Sequence, residues 1–170
     1  MTEPSHRATH LLLRMALEEG SQAPDFTLLT DAEEKLTLSA LQGRKVVLYF
    51  YPKADTPGCT REACSFRDDF PRIEAANTVV LGVSPDKPVA LAKFKTKYAL
   101  PFTLVSDVEH AVAEQYGVWA LKQNYGKEYM GIERTTFVLG TDGKIAKIFP
   151  KVKVDGHSEA VLAALAEIKG

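Results

Sequence analysis

The chain predicts an α/β domain with a mixed central sheet flanked by helices. Three observations carry that reading. Val46, Val47, Leu48, Tyr49 and Phe50 form an unbroken apolar run within Lys45–Tyr51, as expected of a strand covered on both faces. Strand-like and helix-like segments then alternate as far as Tyr116. Finally, the turn signal Gly140-Thr141-Asp142-Gly143 separates two further strands, and an amphipathic helix closes the chain.

In order, Phe26–Leu29 and Leu36–Leu38 flank the polar stretch from Thr30 to Lys35 and read as an N-terminal hairpin. After the central strand, Gly58 to Ala76 reads as a helix that Pro71 should interrupt or bend. Thr78–Ser84 is a second buried strand. Pro88–Tyr98 is a helix with proline suited to its first turn. Phe102–Val105 is a short strand, and Val108–Tyr116 a short helix ended by Gly117. Lys122 to Glu128 is polar, contains Asn124 and Gly126, and reads as an exposed loop. Arg134–Leu139 and Lys144–Phe149 pair around the turn signal. In the closing helix, His157–Lys169, the inner face is Val161, Leu162, Leu165 and Ile168.

Length and composition narrow the function classes. A chain of 170 residues is one domain with a sizeable core, and 45% hydrophobic with 25% charged residues is ordinary for a soluble protein. The net charge of -1 gives no reason to expect nucleic acid or an anionic membrane as partner. No apolar stretch approaches the roughly 20 residues needed to span a bilayer. Near the N-terminus only Leu11-Leu12-Leu13 is apolar, short of the about 7–15 residues of a secretory signal. A cytoplasmic location is therefore expected, and Met15 is a plausible alternative start. Residues 1–16 read as an extension, loosely ordered or a short accessory helix, and 17–170 as the folded domain.

Cys59 and Cys64 are the only cysteines, and a reducing compartment favours a catalytic or metal-binding use over a structural staple. The strand ahead of them delivers Cys59 to the start of a helix, where unpaired N–H groups and the helix dipole favour an anion. Zinc usually takes four ligands from paired clusters; here no second cluster exists and His6, His10, His110 and His157 are scattered. No metal or other cofactor is expected. Two buried, inert thiols remain the bland alternative. Thr56, three residues before Cys59, fits a helix N-cap. Arg134 at a strand edge would ordinarily be solvated, and Trp119 a core aromatic.

The string Phe50 to Cys64, with Pro52-x-x-x-Thr56-x-x-Cys59, resembles the peroxiredoxins, and in particular their bacterioferritin-comigratory-protein or Q-type branch. Ala23-Pro24-Asp25-Phe26, Thr103 to Asp107, Gly117-Val118-Trp119, Arg134-Thr135-Thr136-Phe137 and Asp142-Gly143-Lys144 extend the resemblance over about residues 20 to 168. It implies a thioredoxin fold with an added N-terminal β-hairpin. It also implies a thiol peroxidase acting on hydrogen peroxide and organic hydroperoxides in antioxidant defence. Cys59 would be the peroxidatic thiolate, oxidised to a sulfenic acid. Cys64 would resolve it as an intramolecular disulfide. Thr56 would hydrogen-bond thiolate and peroxide, Arg134 would stabilise both, and Pro52 would shield the sulfur; Trp119 is a candidate pocket wall. Recycling would come from thioredoxin or a similar dithiol, and a monomer would suffice because both thiols lie in one chain.

Helix geometry adds a constraint. Five residues on a regular helix give a rise of about 7.5 Å and an offset of about 140°, so the two Cα atoms stand roughly 8–9 Å apart. A disulfide needs less than about 7 Å. The first turns of the helix should therefore unwind when the bond forms, with Pro57, Gly58 and Pro71 as yielding points. Two rival functions share the fold: a protein disulfide oxidoreductase, which typically uses Cys-x-x-Cys, and a redox-sensing binding module.

Overall fold

The computed structural model describes residues 17–168, so the expectations for residues 1–16 lie outside the described residues. Strand β3 (Lys45–Phe50) is buried along its whole length. Its side chains alternate between two cores, as the period-2 geometry of a strand requires. Val46, Leu48 and Phe50 join Leu81, Val83, Tyr116 and Phe137 on one face of the sheet. Val47, Tyr49 and, just beyond the strand, Tyr51 join Cys59, Phe66, Phe94 and Val161 on the other.

Seven strands make the sheet, in the order β2-β1-β5-β4-β3-β8-β9. β3, β4 (Thr78–Ser84) and β5 (Thr103–Ser106) run parallel, and β8 (Thr135–Leu139) and β9 (Ile145–Phe149) add antiparallel on one side. The N-terminal hairpin, β1 (Thr27–Thr30) and β2 (Lys35–Thr37), adds antiparallel to β5 on the other. The expected mixed sheet and hairpin are thus present. Gly82 is required in β4: a Cβ there would stand 2.8 Å from the Tyr49 ring, which crosses the sheet surface beside it.

Helix boundaries follow local chemistry. The expected helix from Gly58 to Ala76 is two: α1 (Pro57–Asp68) and α2 (Phe70–Ala75), divided at Asp69. Pro71 lies in the first turn of α2, where its missing N–H costs nothing, so it breaks rather than bends the helix. α3 (Pro88–Tyr98) has the expected limits and stops at Ala99, which adopts the left-handed conformation. α4 (Ala111–Gln115) is shorter than expected. The Asp107 carboxylate accepts the N–H groups of Val112 and Ala113, and that fixes the start of α4 past the turn at His110. α5 is His157–Glu167.

The segment expected to be a loop, Lys122 to Glu128, is instead the outer part of a separate hairpin, β6 (Trp119–Asn124) with β7 (Lys127–Ile132). Tyr125 and Gly126 form its two-residue turn, both at positive φ. The hairpin is solvated on much of both faces, so its strands carry little apolar alternation for a sequence reading to find.

His157 opens α5 in a buried site, its ring edge-on to Phe66 and Phe149 and its Nε2 2.8 Å from the Thr136 hydroxyl. Burial, helped by the charge of Arg134, pulls it down to about 4. A histidine held neutral in the folded state gives a stability that rises with pH from about 4 to 6.5 and is lost on acidification through that window, by on the order of 3 kcal/mol. Urea unfolding followed by Trp119 fluorescence should therefore show the wild type losing more stability than His157→Asn between pH 6.5 and 4. Other titrating groups act in both proteins, so the difference between the curves isolates His157.

Candidate active site

β3 ends at Phe50, and residues 52–56 carry the chain over to α1. This crossing is pinned at two points. The Asp55 carboxylate accepts from the Lys97 ammonium at 2.8 Å and the Tyr98 hydroxyl at 2.7 Å, which hold it below the usual carboxylate range. The Ala54 N–H donates to Asp86 at 2.7 Å. Thr56 occupies the expected N-cap position in extended conformation, with Pro57 opening the helix. Its side chain does not cap, however: the hydroxyl donates to the Lys53 carbonyl at 2.8 Å, leaving the oxygen's lone pairs for another donor.

Cys59 is the third residue of α1 and is buried, within the turn whose N–H groups lack helical acceptors. Arg134, between β7 and β8, brings Nη2 to 3.1 Å from its sulfur. Gly58 makes room for this: a Cβ there would stand 3.3 Å from Arg134 Nη2. The same guanidinium donates through Nη1 to Glu62 Oε1 at 2.7 Å. Glu62 is 1% exposed, and its Oε2 has no hydrogen-bond partner among the described residues. Burial pushes this carboxyl up to about 7 against the opposing pull of Arg134.

Sequence reasoning missed Glu62. The signal was present: Cys59, Glu62, Ala63 and Phe66 follow the i, i+3, i+4, i+7 spacing of the buried helix face. An acid on that face calls for a cationic partner, and Arg134 supplies it from 72 residues away.

The remaining predicted residues are placed less closely. Cys64 is half-buried about one and a half turns along the same unbroken helix, and both thiols are free. Pro52 lies half-buried in the crossing between β3 and α1. Trp119 stands at the root of the β6–β7 hairpin and stacks flat on His110 at 3.9 Å. Among the described residues no three His, Cys, Asp or Glu side chains are grouped to hold a metal ion.

A buried thiol at a helix start, with a permanently charged donor aimed at its sulfur, suits nucleophilic cysteine chemistry. Comparison with known proteins agrees. Residues 20–148 match the model of the AhpC/TSA family. The chain is 55% identical over 151 residues to a putative peroxiredoxin bcp of Coxiella burnetii, covering 89% of this chain and all of that protein. It is 48% identical to peroxiredoxin Bcp of Bacillus subtilis, covering 91% and 98%. A solved structure of the Xanthomonas campestris bacterioferritin comigratory protein, studied for alkyl peroxide reduction, superposes with a TM-score of 0.82 at 40% identity, covering 89% of this chain and 96% of that one. The chain therefore belongs to the AhpC/TSA family. More narrowly, it falls among the Bcp-type peroxiredoxins and is a thiol-dependent peroxidase on the thioredoxin fold, its two cysteines fitting the atypical two-cysteine type.

Arg134→Lys should slow the reaction of Cys59 with hydroperoxide by about a hundredfold, the effect expected when one preorganised donor is lost. A single ammonium cannot span sulfur and carboxylate in the guanidinium's fork geometry. Stopped-flow measurement of Cys59 oxidation checks this, and Gly58→Ala, which crowds Nη2, should show a smaller loss in the same direction.

Proposed function

We propose that this chain reduces hydrogen peroxide and organic hydroperoxides through Cys59, with Cys64 as the resolving thiol. The observation that carries the reading is the Arg134 Nη2 contact of 3.1 Å on a buried sulfur in the first turn of a helix. The thiolate attacks one peroxide oxygen, the O–O bond breaks, and the sulfur leaves as a sulfenic acid. Arg134 donates to the charge that builds up, and the Thr56 oxygen, with lone pairs to spare, accepts from the bound peroxide hydroxyl. Pro52 shields the sulfur, and Trp119 forms an outer wall of the pocket. Cys64 then condenses with the sulfenic acid, releasing water and forming the disulfide.

This last step requires α1 to open. On a continuous helix the two Cα atoms stand roughly 8–9 Å apart, beyond disulfide reach. The reduced state is therefore folded across residues 57–68 and the oxidised state unwound there. A thioredoxin-type dithiol reduces the exposed disulfide. The enzyme works in the cytoplasm as a monomer, since both thiols sit in one chain. Among the described residues no helix is long and apolar enough to cross a membrane.

Three measurements test the assignment together. Cys59→Ser should abolish peroxide reduction. Cys64→Ser should keep one turnover, trapping a sulfenic acid visible by mass spectrometry, and block recycling by thioredoxin. Amide hydrogen exchange over residues 57–68 should accelerate strongly in the disulfide form. Full multiple turnover with thioredoxin in Cys64→Ser, or equal protection in both redox forms, would overturn the resolving step.

A further inference from the structure

The site sets one fixed cation against two buried groups that can each carry a negative charge. Arg134 donates through Nη2 to the Cys59 sulfur at 3.1 Å and through Nη1 to Glu62 Oε1 at 2.7 Å. Cys59 and Glu62 are each 1% exposed. A thiolate and a carboxylate together would leave a net negative charge sealed from water, which is strongly disfavoured. One proton on the pair removes that charge, so the two groups titrate as a unit. In water the proton belongs to sulfur, since thiols release it near about 8.5 and carboxyls near about 4.3. The local structure works against that order. Cys59 lies in the first turn of α1, where the helix start favours an anion, whereas Glu62 lies three residues further in, where this effect has faded. Glu62 Oε2 has no donor among the described residues, so ionisation would leave a bare buried oxygen. Burial pushes the carboxyl up to about 7. Neighbouring elements leave this balance in place. Burial holds the phenols of Tyr49 and Tyr51 neutral, His157 on α5 is neutral above about 4, and Lys122 on the hairpin acts on Cys59 and Arg134 with Glu133 opposing it.

We propose, resting on Cys59 as the attacking sulfur, that Glu62 holds the one proton of the resting pair and gives it up when that sulfur is oxidised. Thiolate, carboxylic acid and hydroperoxide become sulfenic acid, carboxylate and alcohol (or water, from hydrogen peroxide). The sulfur supplies two electrons, the O–O bond breaks, and the departing oxygen gains, through solvent, the proton that the carboxyl releases. Glu62 does not touch the peroxide and acts through Arg134. Once the sulfur is neutral, the guanidinium is left to Glu62 alone, and the carboxyl's hold on its proton weakens. Sulfur, guanidinium and carboxyl therefore sum to zero charge both before and after oxidation. Condensation with Cys64 releases water and changes no protonation, and reduction of the disulfide by a dithiol returns the pair to its one-proton state.

Spectroscopy and proton stoichiometry separate this role from mere support of Arg134. The Cys64→Ser protein, which stops at the sulfenic acid, is studied at about pH 7.5, above the ordinary range of a carboxyl. Reduced, it should show thiolate in its ultraviolet absorbance together with a carboxylic C=O band in the infrared, and hydrogen peroxide should abolish both. Oxidation should take up less than about half a proton per sulfur from a lightly buffered indicator solution. Adding Glu62→Gln, whose amide keeps an acceptor for Arg134 but holds no proton, should remove the band and raise the uptake to about one. A thiol in place of the thiolate, no carboxylic band, or uptake of about one proton in the protein that retains Glu62 would overturn the role, whether or not the Gln variant folds. A band or a low uptake that persists in Glu62→Gln would overturn it too. Failure of Cys59 as the attacking sulfur would appear separately, as peroxide reduction persisting in Cys59→Ser.

Discussion

One guanidinium joins the two halves of the site. Arg134 reaches the Cys59 sulfur with one nitrogen and the Glu62 carboxylate with the other, so a residue next to β8 is fixed against the first two turns of α1. The arrangement depends on burial. In water an arginine spanning two such groups gains little, because solvent competes for every donor. Here the sulfur and carboxylate are both sealed from water, and an unpaired charge would cost several kcal/mol, which holds the three groups in a single geometry. Glu62 thereby governs where the guanidinium points. A plain apolar residue in its place would leave Arg134 free to turn away from the sulfur.

The sheet makes this geometry possible. β3 alternates its side chains between two cores and ends where the chain must cross to α1, with Tyr49 and Tyr51 lining the face on which Cys59 sits. The antiparallel pairing of β8 with β3 sets Thr135 beside Phe50, and that brings Arg134 to the same end of the sheet as the thiol. The β6–β7 hairpin stands outside the seven-stranded sheet and is joined to it by the few residues between β7 and β8.

What could be read from the sequence follows from how local each signal is. The buried strand Lys45–Phe50 and the helix Pro88–Tyr98 were legible because their patterns are continuous and their boundaries carry breakers. Cys59, Thr56 and Arg134 were singled out through a family motif, and the structure sets Arg134 against the Cys59 sulfur although nothing local distinguishes it from an ordinary strand-edge arginine. Glu62 was not: an acid in a helix looks solvated until its partner, distant in sequence, is known. Lys122 was misplaced in a loop because a hairpin wet on both sides lacks the apolar alternation that marks a strand. The geometric argument about Cys59 and Cys64 needed only helical rise and twist, and the continuous helix found over Pro57–Asp68 meets its premise.

The interruption at Asp69 has a further bearing on redox cycling. There the Asp69 carboxylate accepts from Ser158 at 2.6 Å and faces Arg72, while Pro71 locks the chain into a fresh helical start. Ile73, wholly sealed, anchors the far side. The joint works as a firebreak. Under the proposed opening of α1, melting of the thiol-bearing segment would meet a separately nucleated, separately tethered element. In the opening proposed above, Phe66 would leave the Tyr49 ring on which it packs, while the tethered joint keeps α2 and its Ile73 anchor seated, so the uncovered surface is confined to the strip that α1 alone protects.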